Sequence, residues 1–297
     1  MFDPLKVRLG IAPIAWTNDD LPYLGKENTF EQCISEMALS GFQGCEVGNK
    51  YPRDIPTLTK KLALRGLTIA NAWFSAYLTT KPYEETEADF RKHLTFLRAM
   101  GAKIVGVSEQ GRSIQGLQLP IFEKKPVMNA QEWALLCEGL NRLGRIALEY
   151  GITLTYHHHM GTVIQTGEEI DRLMESTDPG LVGLLFDSGH LAYCDEDGEA
   201  VLRKHIARVR HVHLKDIRPE VIKTVRKERK SFLDGVRMGA FTVPGDGAIH
   251  FEPLFRLLDA YGYAGWMIVE AEQDPAIADP LEYAIRARRY IREKTGL

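Results

Sequence analysis

A short unit recurs along the chain: a segment with helical periodicity, a glycine, and then a run of apolar residues. Glycine directly after a helix adopts the left-handed conformation without strain, so each such glycine predicts a helix end. The helix-like segments 29–40, 56–65, 84–100 and 130–150 are followed by Gly41, Gly66, Gly101 and Gly151. This punctuation predicts a chain that alternates helices with short buried strands.

Eight apolar runs are candidates for those strands: residues 7–14, 44–47, 67–72, 104–107, 152–156, 181–186, 209–214 and 266–269. Further helical patterns lie near 195–207 and 251–261. The runs are continuously apolar, which is typical of parallel strands covered on both faces. An open doubly wound sheet is the alternative, but no glycine-rich phosphate loop follows the first run. The sequence predicts an α/β fold, a (β/α)₈ TIM barrel, as one domain over residues 1–297.

Composition and net charge argue against several classes of protein. The formal net charge is −3, from 37 Lys and Arg against 40 Asp and Glu, so no basic surface for nucleic acid is indicated. The chain has no long uncharged apolar stretch for a membrane and no signal-peptide pattern in residues 1–9, so we expect a cytoplasmic protein. Its four cysteines form no CxxC pair and are predicted to be free thiols.

Polar and titratable residues follow nearly every apolar run, where a barrel places its active site. In strand order these are Trp16, Thr17 and Asn18; Glu46, Asn49 and Lys50; Asn71 and Trp73; Ser108, Glu109 and Gln110; His157, His158 and His159; Asp187 and His190; His211, His213, Lys215 and Asp216; and Glu270 and Glu272. Six of nine histidines lie in three of these segments. Imidazole with carboxylate is the ligand set of Mn²⁺, Co²⁺, Fe²⁺ or Zn²⁺, so we expect a divalent metal on strands five to eight.

The two-residue period of a strand limits the directions in which the histidine side chains can project. If strand five continues, His157 and His159 project to one side and His158 to the other. The same period pairs His211 with His213, although His211 packed between strand and helix is an equal alternative. Glu270 ends an apolar run, where an unpaired carboxylate would be costly to bury without a cation.

Three motifs resemble the xylose-isomerase-like, apurinic-endonuclease-type barrel superfamily: DxxH after strand six, HxHLKD in strand seven, and a Glu ending strand eight. The resemblance implies that Asp187, His213 and Glu270 bind a divalent metal. The superfamily's fourth ligand is a strand-five Glu, and His157 stands at the matching place here.

Longer strings are similar to the inosose dehydratase family: LGIAPIAWTNDDLP, EVGNKYP, YHHHMGT and FDSGHLAY. The resemblance covers nearly the whole chain. It implies dehydration of the polyol ketone 2-keto-myo-inositol to a trihydroxycyclohexane-1,2-dione, with Mn²⁺ or Co²⁺ as the usual metal. Glutathione is also associated with the family.

Such a dehydration needs a base, an acid and groups that orient the ring. We expect proton transfer from His190 and Glu270 on one side, and from His159 and Lys215 on the other. The expected substrate contacts are Trp16, Asn18, Asn49, Lys50 and His158, because amides and ammonium groups bind hydroxyls and an indole packs on C–H groups.

Three alternatives remain at this point. A metal-dependent ketose epimerase or isomerase would use the same enediolate chemistry without loss of water. A non-catalytic sugar-binding protein would keep the metal without turnover. An apurinic endonuclease needs further metal ligands and a basic groove, which the charge of −3 opposes. Barrel enzymes of this kind commonly form oligomers, so a homo-oligomer is one expectation.

Overall fold

The computed structural model describes residues 2–297, and its centre is a ring of parallel strands. The strands are β1 (Val7–Ile11), β2 (Gly44–Glu46), β3 (Thr68–Asn71), β4 (Trp73–Ala76), β5 (Ile104–Glu109), β6 (Thr153–His157), β7 (Val182–Asp187), β8 (Val209–Leu214), β9 (Asp216–Ile217), β10 (Phe241–Thr242) and β11 (Gly265–Val269). Nine of them form one sheet in the order β3-β2-β1-β11-β8-β7-β6-β5-β4. Only Ala72 separates β3 from β4, so these two pieces form one barrel strand and the ring closes through it. The predicted TIM barrel is confirmed.

Helices surround the ring. They are α1 (Phe30–Leu39), α2 (Ile55–Ala63), α3 (Tyr83–Ala99), α4 (Ala130–Glu149), α5 (Gly167–Ser176), α6 (Ser188–Tyr193), α7 (Gly198–His205), α8 (Pro219–Lys227), α9 (Phe232–Arg237), α10 (Phe251–Tyr261) and α11 (Pro280–Thr295). The four glycines predicted to end helices have positive φ, between 66° and 85°. None of the helices in the described residues is apolar over a length that could cross a membrane.

Strand β7 illustrates why the barrel strands have continuously apolar sequences. All six residues of Val182–Asp187 are buried, because the barrel interior covers one face and the helices cover the other. Its neighbours β6 and β8 pair with it in parallel and bring His157 and His213 beside Leu185 and Asp187. The strand ends thus place polar side chains together at one end of the barrel.

The sequence patterns did not predict the inserted segment between β8 and α10. It contains α8, α9 and the short antiparallel pair β9 and β10. Its apolar side chains join others from the loops after β1 and β5 in a second buried cluster, called here the mouth cluster. The mouth cluster comprises Leu21, Leu24, Ile114, Ile121, Met160, Tyr193, Ile217, Ile222, Val225, Phe232, Leu233, Val236, Ala240 and Phe241. It covers one side of the carboxyl ends of the strands.

Candidate active site

A cavity of about 320 Å³ opens at the carboxyl ends of the barrel strands. Active sites of TIM barrels lie at this end. The polar or aromatic side chains in its lining are Asp19, Asp20, Glu46, Asn49, Arg53, Asn71, Trp73, His93, Gln115, His157, His159, His213, Glu270 and Glu272. A cavity of this size can enclose a small-molecule ligand.

The four predicted metal ligands converge on the carboxylate of Asp187. His157 Nε2 lies 3.4 Å and His213 Nδ1 lies 3.5 Å from Asp187 Oδ2. His213 Nδ1 is also 3.0 Å from Glu270 Oε2. Each residue lies at or beside the carboxyl end of a different strand, so the barrel rather than local sequence brings them together.

These four side chains fit a divalent transition metal. All are buried, and two imidazoles with two carboxylates are a donor set that such ions prefer. Among the described residues His213 Nδ1 is buried without a hydrogen-bond partner, and such a nitrogen can serve as a metal ligand when the ring is neutral. Burial would raise the pKa of Asp187, but Lys215 and then His190 bring it well below its usual range, so the carboxylate stays ionised.

Lys215 lies behind these ligands and is fully buried. Its Nζ is 2.5 Å from Glu270 Oε1, 3.0 Å from Glu272 Oε2 and 3.6 Å from Asp187 Oδ2. Burial would lower the pKa of Lys215, but these three carboxylates raise it above its usual value. The ammonium therefore stays charged and offsets part of the negative charge at the site.

His159 lies on the cavity wall. Its Nδ1 donates a hydrogen bond to the Met160 carbonyl at 2.8 Å, which leaves the lone pair on Nε2. This Nε2 is 4.0 Å from Glu272 Oε1. Burial, and then the nearby Lys215 ammonium, lower the pKa of His159 to about 3, so the ring is neutral near pH 7.

His190 lies beneath His159 and not in the cavity lining. The two ring centroids are 3.7 Å apart, and His190 Nε2 is 3.0 Å from Lys215 Nζ. The backbone N–H of His190 donates to Asp187 Oδ1 at 2.9 Å. The structure thus places this predicted proton donor where it supports His159, Lys215 and Asp187.

His158, expected from the sequence as a substrate contact, lies outside the cavity lining. His158 projects away from the cavity, as the strand period requires relative to His157, and its Nε2 accepts a hydrogen bond from the backbone N–H of Asp187 at 3.1 Å. Burial lowers the pKa of His158 to about 3, so the ring is a neutral acceptor. This side chain fixes the backbone at Asp187.

Trp16 and Asn18 also lie outside the cavity lining. Trp16 is fully buried and its indole N–H donates to Glu36 on α1. Asn18 Oδ1 accepts the backbone N–H groups of Asp20 and Leu21 at 2.9 and 2.8 Å. Both side chains help to shape the loop after β1, although Asn18 Nδ2 has no hydrogen-bond partner among the described residues.

Lys50 has a similar structural role. Its ammonium donates to the carbonyls of Gly25, Lys26 and Asn28 at 3.0, 2.8 and 2.7 Å. This contact ties the loop after β2 to the loop after β1, because all three carbonyls belong to the loop after β1. Of the five expected substrate contacts, only Asn49 lies in the lining.

Other lining residues had no role assigned from the sequence. Glu46, Asn71, Trp73 and Glu272 were visible as polar or aromatic side chains at strand ends. Asp19, Asp20, Arg53 and Gln115 come from loops whose course no sequence motif indicated. Burial raises the pKa of Glu272 above its usual range, despite the opposing effect of Lys215.

The family model of the xylose isomerase-like TIM barrel matches residues 34–294, so the chain belongs to this class of barrels. Inosose dehydratase from Clostridium perfringens is 67% identical over 292 residues, which cover 98% of each chain. Inosose dehydratase from Geobacillus thermodenitrificans is 65% identical over 298 residues and the full length of both. The chain is therefore a member of the inosose dehydratase family.

Solved structures share the fold at low sequence identity. A D-psicose 3-epimerase in the presence of D-fructose has a TM-score of 0.70 at 19% identity, covering 98% of this chain and 100% of that one. The IolI protein with a bound zinc atom has a TM-score of 0.70 at 15% identity, covering 97% and 98%. The probable 3-DHS dehydratase AsbF from Bacillus anthracis has a TM-score of 0.72 at 10% identity, covering 96% and 98%. These likenesses show the barrel fold.

Proposed function

We propose that this chain dehydrates 2-keto-myo-inositol to a trihydroxycyclohexane-1,2-dione and water, as a step of myo-inositol catabolism. The observation that carries the proposal is full-length identity of 59–67% to proteins named inosose dehydratase. The cavity supports it, because carboxylates and amides in its lining can accept and donate hydrogen bonds to the hydroxyls of a neutral polyol.

The proposed metal ligands are His157 Nε2, Asp187 Oδ2, His213 Nδ1 and Glu270 Oε2. Contacts of 3.4 Å between His157 and Asp187, 3.5 Å between His213 and Asp187, and 3.0 Å between His213 and Glu270 link the four residues. These contacts and the burial of all four side chains support one shared cation. We propose Mn²⁺ or Co²⁺ as the ion. When bound, such an ion supplies Lewis acidity that polarises a ketone oxygen, worth several kcal/mol in a transition state.

The ring of the substrate is proposed to lie between Trp73 and the carboxylate wall formed by Glu270 and Glu272. Trp73 packs edge-on against His157 and His159, with ring centroids 5.2 and 5.7 Å apart, so its position is fixed relative to the proposed ligands. An indole face packs favourably against ring C–H groups. Asn49 remains the proposed amide contact to a hydroxyl.

Proton transfer is assigned to the cavity wall that carries His159 and Glu272. The α proton moves to the free Nε2 of His159, and the C–H electron pair forms the enolate. The β-hydroxyl takes a proton from Glu272 and leaves as water, and the resulting enol tautomerises to the dione. The proton held by His159 then passes to the Glu272 carboxylate, whose Oε1 is 4.0 Å from Nε2, and both groups return to their starting states. Burial favours the protonated form of Glu272.

Lys215, His190 and Glu270 complete the proposed catalytic group. Burial would raise the pKa of Glu270, but His213 and then Lys215, when both are cationic, lower it to about 2. When His213 is a neutral metal ligand, the Lys215 ammonium, whose Nζ is 2.5 Å from Glu270 Oε1, keeps this carboxylate ionised. His190 holds the ring of His159 and the ammonium of Lys215 in place. No nicotinamide or flavin takes part, because the reaction removes water without net oxidation.

Glutathione, cytoplasmic location and a homo-oligomer stay predictions. Assays of the purified protein with and without reduced glutathione test the first. Cell fractionation tests the second, and analytical ultracentrifugation tests the third.

The proposed function is tested by incubating metal-stripped protein with 2-keto-myo-inositol under anaerobic conditions, with Mn²⁺, Co²⁺, Zn²⁺ or Mg²⁺ added back separately. We expect loss of water and the ultraviolet absorption of the dione enol, fastest with Mn²⁺ or Co²⁺. Epimerised or isomerised ketose without water loss would instead identify the alternative enediolate chemistry. Retention of metal without any turnover would identify a binding protein.

A further inference from the structure

Glu46 ends β2, which lies across the barrel from the strand that carries Asp187, and the proposed mechanism gives it no part. Its side chain is buried, with 7% of its surface exposed. A single oxygen, Oε1, is approached by three nitrogen donors: Asn71 Nδ2 at 2.8 Å, His211 Nε2 at 2.9 Å and His213 Nε2 at 3.1 Å. Such a concentration of donors on one oxygen indicates a carboxylate that orders its neighbours.

The direction of each bond is determined by a chain of contacts that begins on β5. The backbone N–H of Gly106 donates to Asn71 Oδ1 at 2.7 Å, so the amide nitrogen of Asn71 must be the group that faces Glu46. Asn71 Nδ2 is therefore a donor, and Glu46 Oε1 is an acceptor. His213 can satisfy the same oxygen only through a protonated Nε2.

This contact decides which nitrogen of His213 faces the proposed ligands. With the proton on Nε2, the lone pair of the neutral ring lies on Nδ1. Nδ1 is the atom 3.0 Å from Glu270 and 3.5 Å from Asp187, and no hydrogen bond reaches it from the described residues. The other tautomer would aim an N–H at the cation and a lone pair at the carboxylate.

We infer that Glu46 is a positioning residue that holds His213 in the Nε2-protonated tautomer, so that Nδ1 binds the divalent metal. The inference rests on the proposed metal site. Carboxylates that receive the second N–H of a metal-binding histidine fix its tautomer and ring orientation, and their removal typically costs about 10- to 100-fold in metal affinity. Here the carboxylate comes from β2 and the histidine from β8, across the barrel.

His211 does not replace Glu46 in this role. Its Nε2 points at the same carboxylate oxygen, and its Nδ1 is buried without a hydrogen-bond partner among the described residues. Within residues 2–297 its one hydrogen bond is with Glu46, so His211 helps to hold the carboxylate in place.

The first test is Glu46→Gln, read by Co²⁺ titration of the metal-stripped protein without substrate and followed by visible absorption of the bound ion. We expect affinity to fall by about 10- to 100-fold, because the amide is a weaker acceptor for an imidazole N–H than the carboxylate. The matched control is Glu109→Gln at the end of β5. Glu109 is also buried but accepts from Leu78 and Thr79 and contacts no histidine, so its variant should bind Co²⁺ within about threefold of wild type.

The second test needs no variant. Nitrogen-15 NMR of the zinc-loaded wild-type protein should show His213 coordinated through Nδ1 with a proton on Nε2, and His157 coordinated through Nε2. Coordination of His213 through Nε2 would overturn the inference. Because this measurement uses the wild-type protein, it decides the question even if Glu46→Gln does not fold. Equal Co²⁺ affinity of wild type and folded Glu46→Gln would overturn the inference as well. A wild-type protein that binds no metal would instead remove the proposed metal site, and this inference with it.

Discussion

At the ends of β6, β7, β8 and β11 the functional side chains project from strands, whereas those after β1 and β2 lie on loops. In the first region Asp187 and His213 have parallel-paired neighbours, and their directions follow from strand register. In the second region Trp16 and Lys50 point where tertiary hydrogen bonds hold them. Register can be predicted from a sequence, but the tertiary partners of a loop side chain cannot.

The largest effect should come from the strand region. Asp187→Asn keeps an oxygen for the backbone N–H of His190 but removes the charge at the centre of the proposed ligands. We expect loss of most bound metal and a fall in kcat/KM of at least about 10³-fold, since several kcal/mol of transition-state stabilisation depend on the ion. Metal analysis, circular dichroism and the dehydration assay measure this. Normal metal content with full activity would exclude Asp187 from the site.

The adjacent residues His158 and His159 allow the effects of a buried structural side chain and a cavity side chain to be compared within one segment. His159→Gln should keep its metal but lose about 10²- to 10⁴-fold in kcat, because the proton acceptor on the cavity wall is gone. His158→Gln replaces a ring that only accepts the backbone N–H of Asp187, so we expect a cost of about 1 kcal/mol in unfolding free energy. Steady-state kinetics and chemical denaturation of both variants measure these effects. A larger kcat loss for His158→Gln would contradict the orientation described here.

His157→Glu tests the position at which this chain departs from the superfamily pattern. The variant restores the usual carboxylate, so it should still bind one ion. Relative to wild type, its affinity for Mn²⁺ and Mg²⁺ should rise against its affinity for Co²⁺ and Zn²⁺, because oxygen ligands suit harder cations. Competitive metal binding measures the change. A variant without metal would show that the end of β6 cannot present a carboxylate to the other ligands.

The smallest effect on catalysis is expected on the loop side. Trp16→Phe removes the indole N–H that donates to Glu36 while keeping an aromatic ring in a buried site. We expect a loss of about 1 kcal/mol in unfolding free energy and little change in KM or kcat. Thermal unfolding and steady-state kinetics provide the measurement. A raised KM at unchanged stability would return Trp16 to the substrate site.

The comparison of the strand and loop regions shows which parts of the fold and site can be predicted from the sequence alone. Alternation of helices and apolar runs predicted the barrel, and strand order predicted polar side chains together at the carboxyl ends of strands five to eight. The particular set of His157, Asp187, His213 and Glu270 came from the resemblance to the superfamily. The inserted segment with α8 and α9 was not predicted, because its short helices interrupt the alternation of strand and helix and follow no regular pattern themselves. Its Phe232 packs 5.2 Å from the ring of His159, a contact that depends on tertiary folding.

The central claim is that side chains from β6, β7, β8 and the end of β11 together hold one catalytic divalent ion. The most direct test is Co²⁺ titration of metal-stripped wild-type protein, with dehydration of 2-keto-myo-inositol followed in parallel. Activity should rise linearly and reach its maximum at one equivalent of bound Co²⁺ per chain. Full dehydratase activity before any metal is added, confirmed by elemental analysis, would contradict the account.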